Sequence, residues 1–289
     1  MAAIYELYVD DRRQDGIDTK RMLQAWKPLA SHFGHIGIDA IDKQACQAYI
    51  AKRRRLGVSD GGIRTELDYL STAMRFGARS KLYEGAPPVI ERPPQPRPRE
   101  RWLTKAEVTR LIRGAGSPHV RLFILLAIAT AGRPSHILQL TWPRVDLSRR
   151  VINLDDPTRD RTRKGRAEVP INDDIYEPLR VARDLAATDH VIEYNDQPMR
   201  SIKKGIRAAA RRARLGVLGP YVLRHTAGVW MAQAGVPMSE IAQYMGHTST
   251  QVTERVYARY SPEHLRRASG ALRLDEVPQI AHDLVAKRR

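Results

Sequence analysis

The sequence predicts a mainly helical protein with a small antiparallel β-sheet, divided into two domains. Three observations carry that prediction. Apolar residues recur at helical spacing through most of the chain. Two short β-type runs, Val151 to Leu154 and Ala167 to Ile171, interrupt the pattern, with a charged segment between them. Residues 86–101 read APPVIERPPQPRPRER. Proline locks φ and supplies no backbone donor, so this basic stretch is expected to be an extended linker. It sets the boundaries: a helical domain over 1–85, a linker over 86–101 and a second domain over 102–289.

Each element has its own signal. Ile4, Leu7 and Tyr8 pattern a first helix. Met22, Leu23, Trp26, Leu29 and Ala30 pattern a second, with Asp18 as its N-cap. Gln44 to Arg55 and Gly62 to Ala78 complete a four-helix module. After the linker, Thr104 and Glu107 have the spacing of a capping box. Ser117-Pro118 begins a strongly apolar helix containing Leu122, Phe123, Leu125, Leu126 and Ile128. The two β runs follow. Helices are then expected over Ile175 to Leu185, Arg200 to Arg214, Tyr221 to Ala234 and Met238 to Met245, and Ser261-Pro262-Glu263 has the cap, first position and acid of one more.

Composition restricts the partner. A formal net charge of +17 and a pI near 10.3 favour nucleic acid or an anionic membrane. No apolar run approaches the roughly 20 residues of a spanning helix, and the N-terminus lacks a secretory pattern, so DNA in the cytoplasm is the expected setting. The single cysteine, Cys46, excludes an intrachain disulfide and a cysteine-based zinc site. In the first domain the KRRR run from Lys52, Arg53 and Arg54 to Arg55 ends a helix beside a glycine-rich turn, and Arg64 opens the next. Lys52, Arg53, Arg54 and Arg64 are candidate phosphate contacts; the plainer reading is a solvated helix end complementing the dipole.

Three later stretches carry chemistry. TAGRPSHILQLTW (residues 130–142) places Arg133 after a glycine at the head of an apolar helix, whose N-terminus would favour an anion, although a surface arginine at a helix start is the plainer reading of that residue alone. In YVLRHTAG (residues 221–228), Tyr221 and Arg224 lie on one helical face and His225 points elsewhere. In MGHTSTQVTERVYARYSPEHL (residues 245–265), His247 follows a helix-ending glycine, and Tyr257 and Tyr260 are the only later tyrosines. A tyrosine hydroxyl, with an ordinary pKa of about 10, is a weak nucleophile at neutral pH. It needs cations that hold a phosphate and take up transition-state charge, and this chain supplies them upstream. The order suggests attack on a phosphodiester by Tyr257, with Tyr260 immediately before Ser261-Pro262 as a packing residue.

In this order and after this linker, the stretches resemble the tyrosine recombinase family, the integrases of phages and mobile elements. The resemblance covers nearly the whole chain: a helical core-type DNA-binding domain, a linker, and a catalytic domain with a docking tail from about Leu272, including Ile280, Leu284 and Val285. It implies that Tyr257 forms a 3′-phosphotyrosyl link and releases a 5′-hydroxyl. Arg133 and Arg224 would clamp the non-bridging oxygens. Lys164, in the strand-turn-strand around Lys164-Gly165-Arg166, would protonate the leaving oxygen. His247 would hydrogen-bond the phosphate or help deprotonate the tyrosine. Tyr221 completes the catalytic set. The resemblance implies no metal or other cofactor, and a homotetramer on double-stranded DNA bearing two recombination sites, with a monomer allowed in solution. Helical patterning begins almost at Met1, which fits the two-domain type or a chain lacking an N-terminal arm-binding piece.

The chain departs from the family pattern in places. Tyr221 stands where histidine is common, and His136 where an acid usually follows the first arginine. The commonest spacing from His247 would reach Val256; Tyr257 lies one residue further, and Tyr260 stays open as an alternative. Arg161, Arg163 and Arg166 crowd Lys164 as general-acid candidates. Two other classes also remain: a catalytically silent recombinase-like DNA-binding protein, and a type IB topoisomerase-like strand relaxer.

Overall fold

Helix α1 (Ala2–Gln14) opens the first of two units, Met1–Arg99 and Glu100–Arg289. The structure is a computed structural model and describes residues 1–95, 100–155, 167–262 and 264–272. In the first unit α1 and α2 (Lys20–Phe33) both pack on α4 (Asp60–Arg79), and α3 (Lys43–Arg55) lies against α4 as well. Tyr5, Leu29, Phe33, Tyr49, Leu67 and Leu70 are fully buried between them. Asp42 caps α3 by accepting from the Ala45 amide at 2.8 Å, and Ser59 caps α4 by accepting from Gly62. At α2 the expected cap is shifted. Thr19 holds the N-cap position, while Asp18 accepts from the Lys20 amide at 3.0 Å and so still satisfies a first-turn donor.

The side chains of α3 and α4 are tied by a half-buried cluster. Glu66 accepts from the Tyr49 hydroxyl at 2.7 Å and from both Nε and Nη2 of Arg53. Residues 86–95 form no helix or strand, as proline dictates, yet they have partners within the first unit. Ile90 is buried in its core, Arg92 pairs with Asp68, and Arg64 donates to the Pro93 carbonyl.

In the second unit the capping box of α5 (Lys105–Gly114) forms in both directions between Thr104 and Glu107. Helix α6 (Pro118–Thr130) runs through the core, with Phe123, Ile124 and Leu126 fully buried. It packs against α5, α8 (Asp173–Asp184) and α10 (Tyr221–Gln233). The β-sheet has antiparallel order β1-β2-β3, from Val145–Asp146, Val151–Asn153 and Glu168–Pro170. Ile152 pairs with both Val145 and Val169, so one apolar row faces the core. Lys164 and its arginine neighbours fall between β2 and β3, outside the described residues, as does the tail from residue 273 onward.

Four local features differ from the sequence reading. The segment after Arg133 makes only one short helical turn, α7 (Pro134–Leu138). A second hairpin, β4 (Glu193–Tyr194) and β5 (Gln197–Pro198), turns through Asn195 and Asp196, both in the left-handed region. After α9 (Lys203–Arg212), α10 and α11 (Met238–Met245) comes α12 (Thr250–Tyr257), which the sequence did not signal. Finally, Ser261-Pro262 does not open a helix. Ser261 is extended, as a cap should be, and Glu263 lies outside the described residues, but Pro262 and His264 are in turns, Leu265 is left-handed, and α13 (Arg266–Ala271) begins only there.

Candidate active site

Arg224 is the centre of the site. It sits one turn into α10, flanked by the buried Leu223, Thr226 and Ala227, and is itself only 8% exposed. A buried guanidinium must have its donors satisfied. Here backbone oxygens do it: Nη1 donates to the Ala131 carbonyl at 2.7 Å and to the Met245 carbonyl at 3.0 Å. Both oxygens are released by local chain geometry. Ala131 ends α6 in the left-handed conformation, φ 48°. Gly246 ends α11 at φ 63°, and the next backbone bonds run back to Ala242 and Gln243, leaving the Met245 oxygen to the arginine. Arg133, the N-cap residue of α7, donates through Nη2 to the Gly246 carbonyl at 3.4 Å. The C-terminus of α11, with its partial negative charge, therefore receives both arginines. Among the described residues no carboxylate pairs with Arg224, whose Nη1 is served by backbone oxygens, and His136 on α7 is buried.

The turn at Gly246 aims His247 at the same point. Its Nε2 lies 2.8 Å from Arg224 Nη2, and its Nδ1 lies 2.8 Å from the Thr253 hydroxyl. Arginine can only donate, so Nε2 accepts and the ring proton sits on Nδ1, toward Thr253. Burial, followed by the Arg224 and Arg133 charges, lowers the His247 pKa to about 4. Arg224 is itself lowered to about 10, first by burial and then by Arg133, and so stays cationic at neutral pH.

Tyr257, the last residue of α12, is 5% exposed. Its ring packs closely against Gly228, where a Cβ would come within 2.5 Å of Cε1 and Cζ and 2.8 Å of the hydroxyl. Gly228 is four residues after Arg224, so the phenol crosses the same face of α10 that carries the arginine. Burial pushes the phenol up to about 12, against the opposing pull of Arg224. His225 tilts against the Tyr257 ring at 5.5 Å, and Tyr260 stands edge-on to Trp102 at 6.4 Å.

The other expected residues are more dispersed. Tyr221 begins α10 but is 62% exposed, beside a groove it lines with Pro134, Gln139 and Lys203. It shares the helix with Arg224 without sharing its burial. In the first unit, Lys52 is exposed, Arg53 is engaged by Glu66, Arg54 by Asp60 and Arg64 by the Pro93 carbonyl. Sequence reasoning missed Gly228, although its spacing from Arg224 was a usable signal. It also missed α9. There Ile206, Ala209 and Ala210 turn inward, while Lys203, Lys204, Arg207 and Arg211 are exposed on a helix that contains no acid. Among the described residues no cluster of His, Cys, Asp or Glu is arranged to hold a metal ion, and no helix is long and apolar enough to cross a membrane.

Two outcomes follow from this geometry. Gly228→Ala should destabilise the second unit by about 1–3 kcal/mol through overpacking on the phenol. Adding Tyr257→Ala should remove most of that penalty, and a double-mutant cycle by urea unfolding measures the coupling. The folded His247 pKa lies below its unfolded value, so the unfolded chain binds the extra proton. Stability should therefore fall as pH drops from about 6.5 toward about 4, with unfolding midpoints reporting it. His119 and His225, also held low by burial, act in the same sense, so His247→Asn should reduce that slope without abolishing it.

Comparison with known proteins places the second unit in a family. The model of the phage integrase family matches residues 101–264, from the start of the second unit to just past Tyr257 and Tyr260. The integrase of Salmonella phage P22 is 27% identical over 237 residues, covering 75% of this chain and 59% of that protein. The tyrosine recombinase XerA of Thermococcus onnurineus is 27% identical over 242 residues, covering 79% and 81%. Among solved structures, a lambda integrase tetramer bound to a Holliday junction shares the fold with a TM-score of 0.70 at 14% identity, over 96% of this chain and 79% of that one. The family match takes in Arg133, Arg224, His247 and Tyr257 and more than half of the sequence: this chain belongs to the phage integrase family, the tyrosine recombinases.

Proposed function

We propose that the protein is a site-specific DNA recombinase that cuts and rejoins DNA through Tyr257, integrating or excising a phage or mobile element. The observation that carries this reading is the convergence of Arg224, Arg133 and His247 on the end of α11, with the Tyr257 phenol on the same face of α10 as Arg224. A phosphodiester entering there would meet two guanidinium groups already held in place, so little reorganisation accompanies charge development. It would also separate Arg224 from His247, since both offer that space to one another in the free protein.

The Tyr257 oxygen attacks phosphorus, the 5′-oxygen leaves, and a 3′-phosphotyrosyl bond replaces the phosphodiester. With Nε2 as its lone-pair nitrogen, His247 is suited to take the phenol proton, and Thr253 fixes that tautomer. Lys164, from the resemblance, would give the 5′-oxygen its proton. Tyr221, exposed at the start of α10, would contact the phosphate or its neighbour from the rim. Because the covalent bond is conserved, rejoining needs no cofactor. The tetrameric state of lambda integrase on a Holliday junction supports a homotetramer acting on two sites.

The exposed cations of α9 extend the proposed DNA surface beyond the scissile phosphate. They support the DNA reading more directly than Arg53 and Arg54, which are engaged by carboxylates. Lys52 and Arg64 remain proposed contacts on the first unit, where Arg64 would have to exchange the Pro93 carbonyl for phosphate. Replacing Arg207 and Arg211 by Gln should lower the slope of log K against log salt by about 0.9 for each phosphate that is no longer neutralised. An unchanged slope in a filter-binding titration would remove α9 from the interface.

The chemistry is tested by covalent trapping on a nicked suicide substrate taken from the junction of the element that encodes the protein. The parent should form a protease-sensitive 3′ adduct, Tyr260→Phe should retain it and Tyr257→Phe should abolish it. Loss with Tyr260→Phe alone would move the nucleophile; tight, specific binding with no adduct would indicate a silent DNA-binding protein. An adduct without strand exchange between two sites would indicate a relaxer. Arg224→Lys should slow adduct formation by about 10²–10³-fold with little change in DNA affinity, because a lysine does not reproduce the guanidinium fork.

A further inference from the structure

The residues that begin the second unit are bound on two sides, and both sides belong to the active site. Leu103 donates its amide to the Thr226 hydroxyl at 3.0 Å and accepts from Trp230 Nε1 at 2.9 Å. Both partners lie on α10, the helix of Arg224 and Gly228. On the other side, Glu100 pairs with Arg259 at 2.8 Å, two residues after Tyr257. The Arg259 guanidinium lies over the Tyr260 ring, 5.0 Å from its centroid, and Tyr260 is edge-on to Trp102. His225 completes the ring of contacts, tilting against Tyr257 at 5.5 Å and standing edge-on to Tyr260 at 6.4 Å.

We propose that Glu100 and Arg259 are positioning residues for the nucleophile: together with Trp102 they latch the Tyr257–Tyr260 segment to the start of the second unit and so set where the phenol stands relative to Arg224. The inference rests on the assignment of Tyr257 as nucleophile. Three features support a positioning role over a merely stabilising one. The ion pair is exposed on both sides, 64% for Glu100 and 44% for Arg259, and such pairs contribute little to stability. Its carboxylate neutralises a cation close to the nucleophile that would otherwise be drawn to DNA. And Glu100 is the first residue of its unit, directly after the chain that arrives from the DNA-binding module. A pull on that chain would reach Tyr257 through Arg259 before it reached the hydrophobic core.

The test uses the full-length protein with Glu100→Lys, which places two cations together, and the charge-swapped pair Glu100→Lys with Arg259→Glu. At saturating suicide DNA, Glu100→Lys should slow adduct formation by at least about tenfold, since misplacement near 1 Å can cost as much as about 10²-fold. Its DNA affinity should not weaken, and the swapped pair should recover the parental rate to within about threefold, an outcome that simple loss of folding would not give. A single variant as fast as the parent or faster, or a swap that fails to recover, would overturn the proposal. Amide exchange of residues 255–260 without DNA provides a readout independent of catalysis. The parent should be protected there, Glu100→Lys should lose protection, and the swap should regain it. If the parent forms no adduct, the recombinase reading fails by itself and exchange alone decides the latch: unchanged protection in Glu100→Lys would reject it.

Discussion

The site depends on two like charges being held together by backbone oxygens. Arg133 and Arg224 would repel in any medium, and Arg224 is also buried. The carbonyls of Ala131, Met245 and Gly246 make the arrangement possible, because each lies where a helix has ended and its oxygen has no further amide to serve. A carboxylate would also satisfy the donors, but it would cancel the positive field of the two arginines. Carbonyl dipoles satisfy the donors and leave the net positive charge in place. That charge acts on its neighbours: it adds to the burial that keeps His247 neutral, and it draws the phenol of Tyr257 back part of the way from the rise that burial imposes.

Two helix terminations thus do the positioning that side chains do elsewhere. Gly246 turns the chain so that α11 presents its last oxygens and His247 follows them back into the site. Ala131 makes the corresponding turn at the end of α6, at a left-handed φ that alanine adopts at some cost. Gly132 follows it in a space so close that a Cβ would lie 2.9 Å from the Thr130 hydroxyl. The Tyr244 hydroxyl, donating to the Ala129 carbonyl at 2.6 Å, ties α11 to the same end of α6. The arginine sockets therefore sit on two helices fixed to one another, and α10 inserts Arg224 between them.

Much of this was legible in the sequence because side chains carry it. Arg224, His247 and Tyr257 stand in a chemically meaningful order, and the apolar character of α6 and the capping box of α5 follow from local rules. What stayed hidden has physical reasons. A carbonyl oxygen has no residue letter, so the acceptors that replace the missing acid could not be read from composition. Ala131 adopts a conformation its type disfavours. Helix α12 is rich in β-branched residues, Thr250, Val252, Thr253 and Val256, whose weak intrinsic helix preference conceals it; packing on α10 and α11 overrides that preference. The arginines of α3 read from sequence as DNA contacts, yet Glu66 and Asp60, distant by more than one helical turn, engage Arg53 and Arg54.

The position of Tyr257, one residue beyond the commonest family spacing, has a structural counterpart. The phenol does not approach Arg224 from the end of a long helix; it ends the short α12, and the chain then passes into a single tight turn at Ala258–Tyr260. A side chain at such a junction is held only partly by helix hydrogen bonds. Its direction must come from what its ring touches, which is the bare backbone at Gly228 and the ring of His225. Both contacts belong to α10, which also carries Arg224. One helix therefore holds the Arg224 guanidinium and the Tyr257 phenol in a common frame.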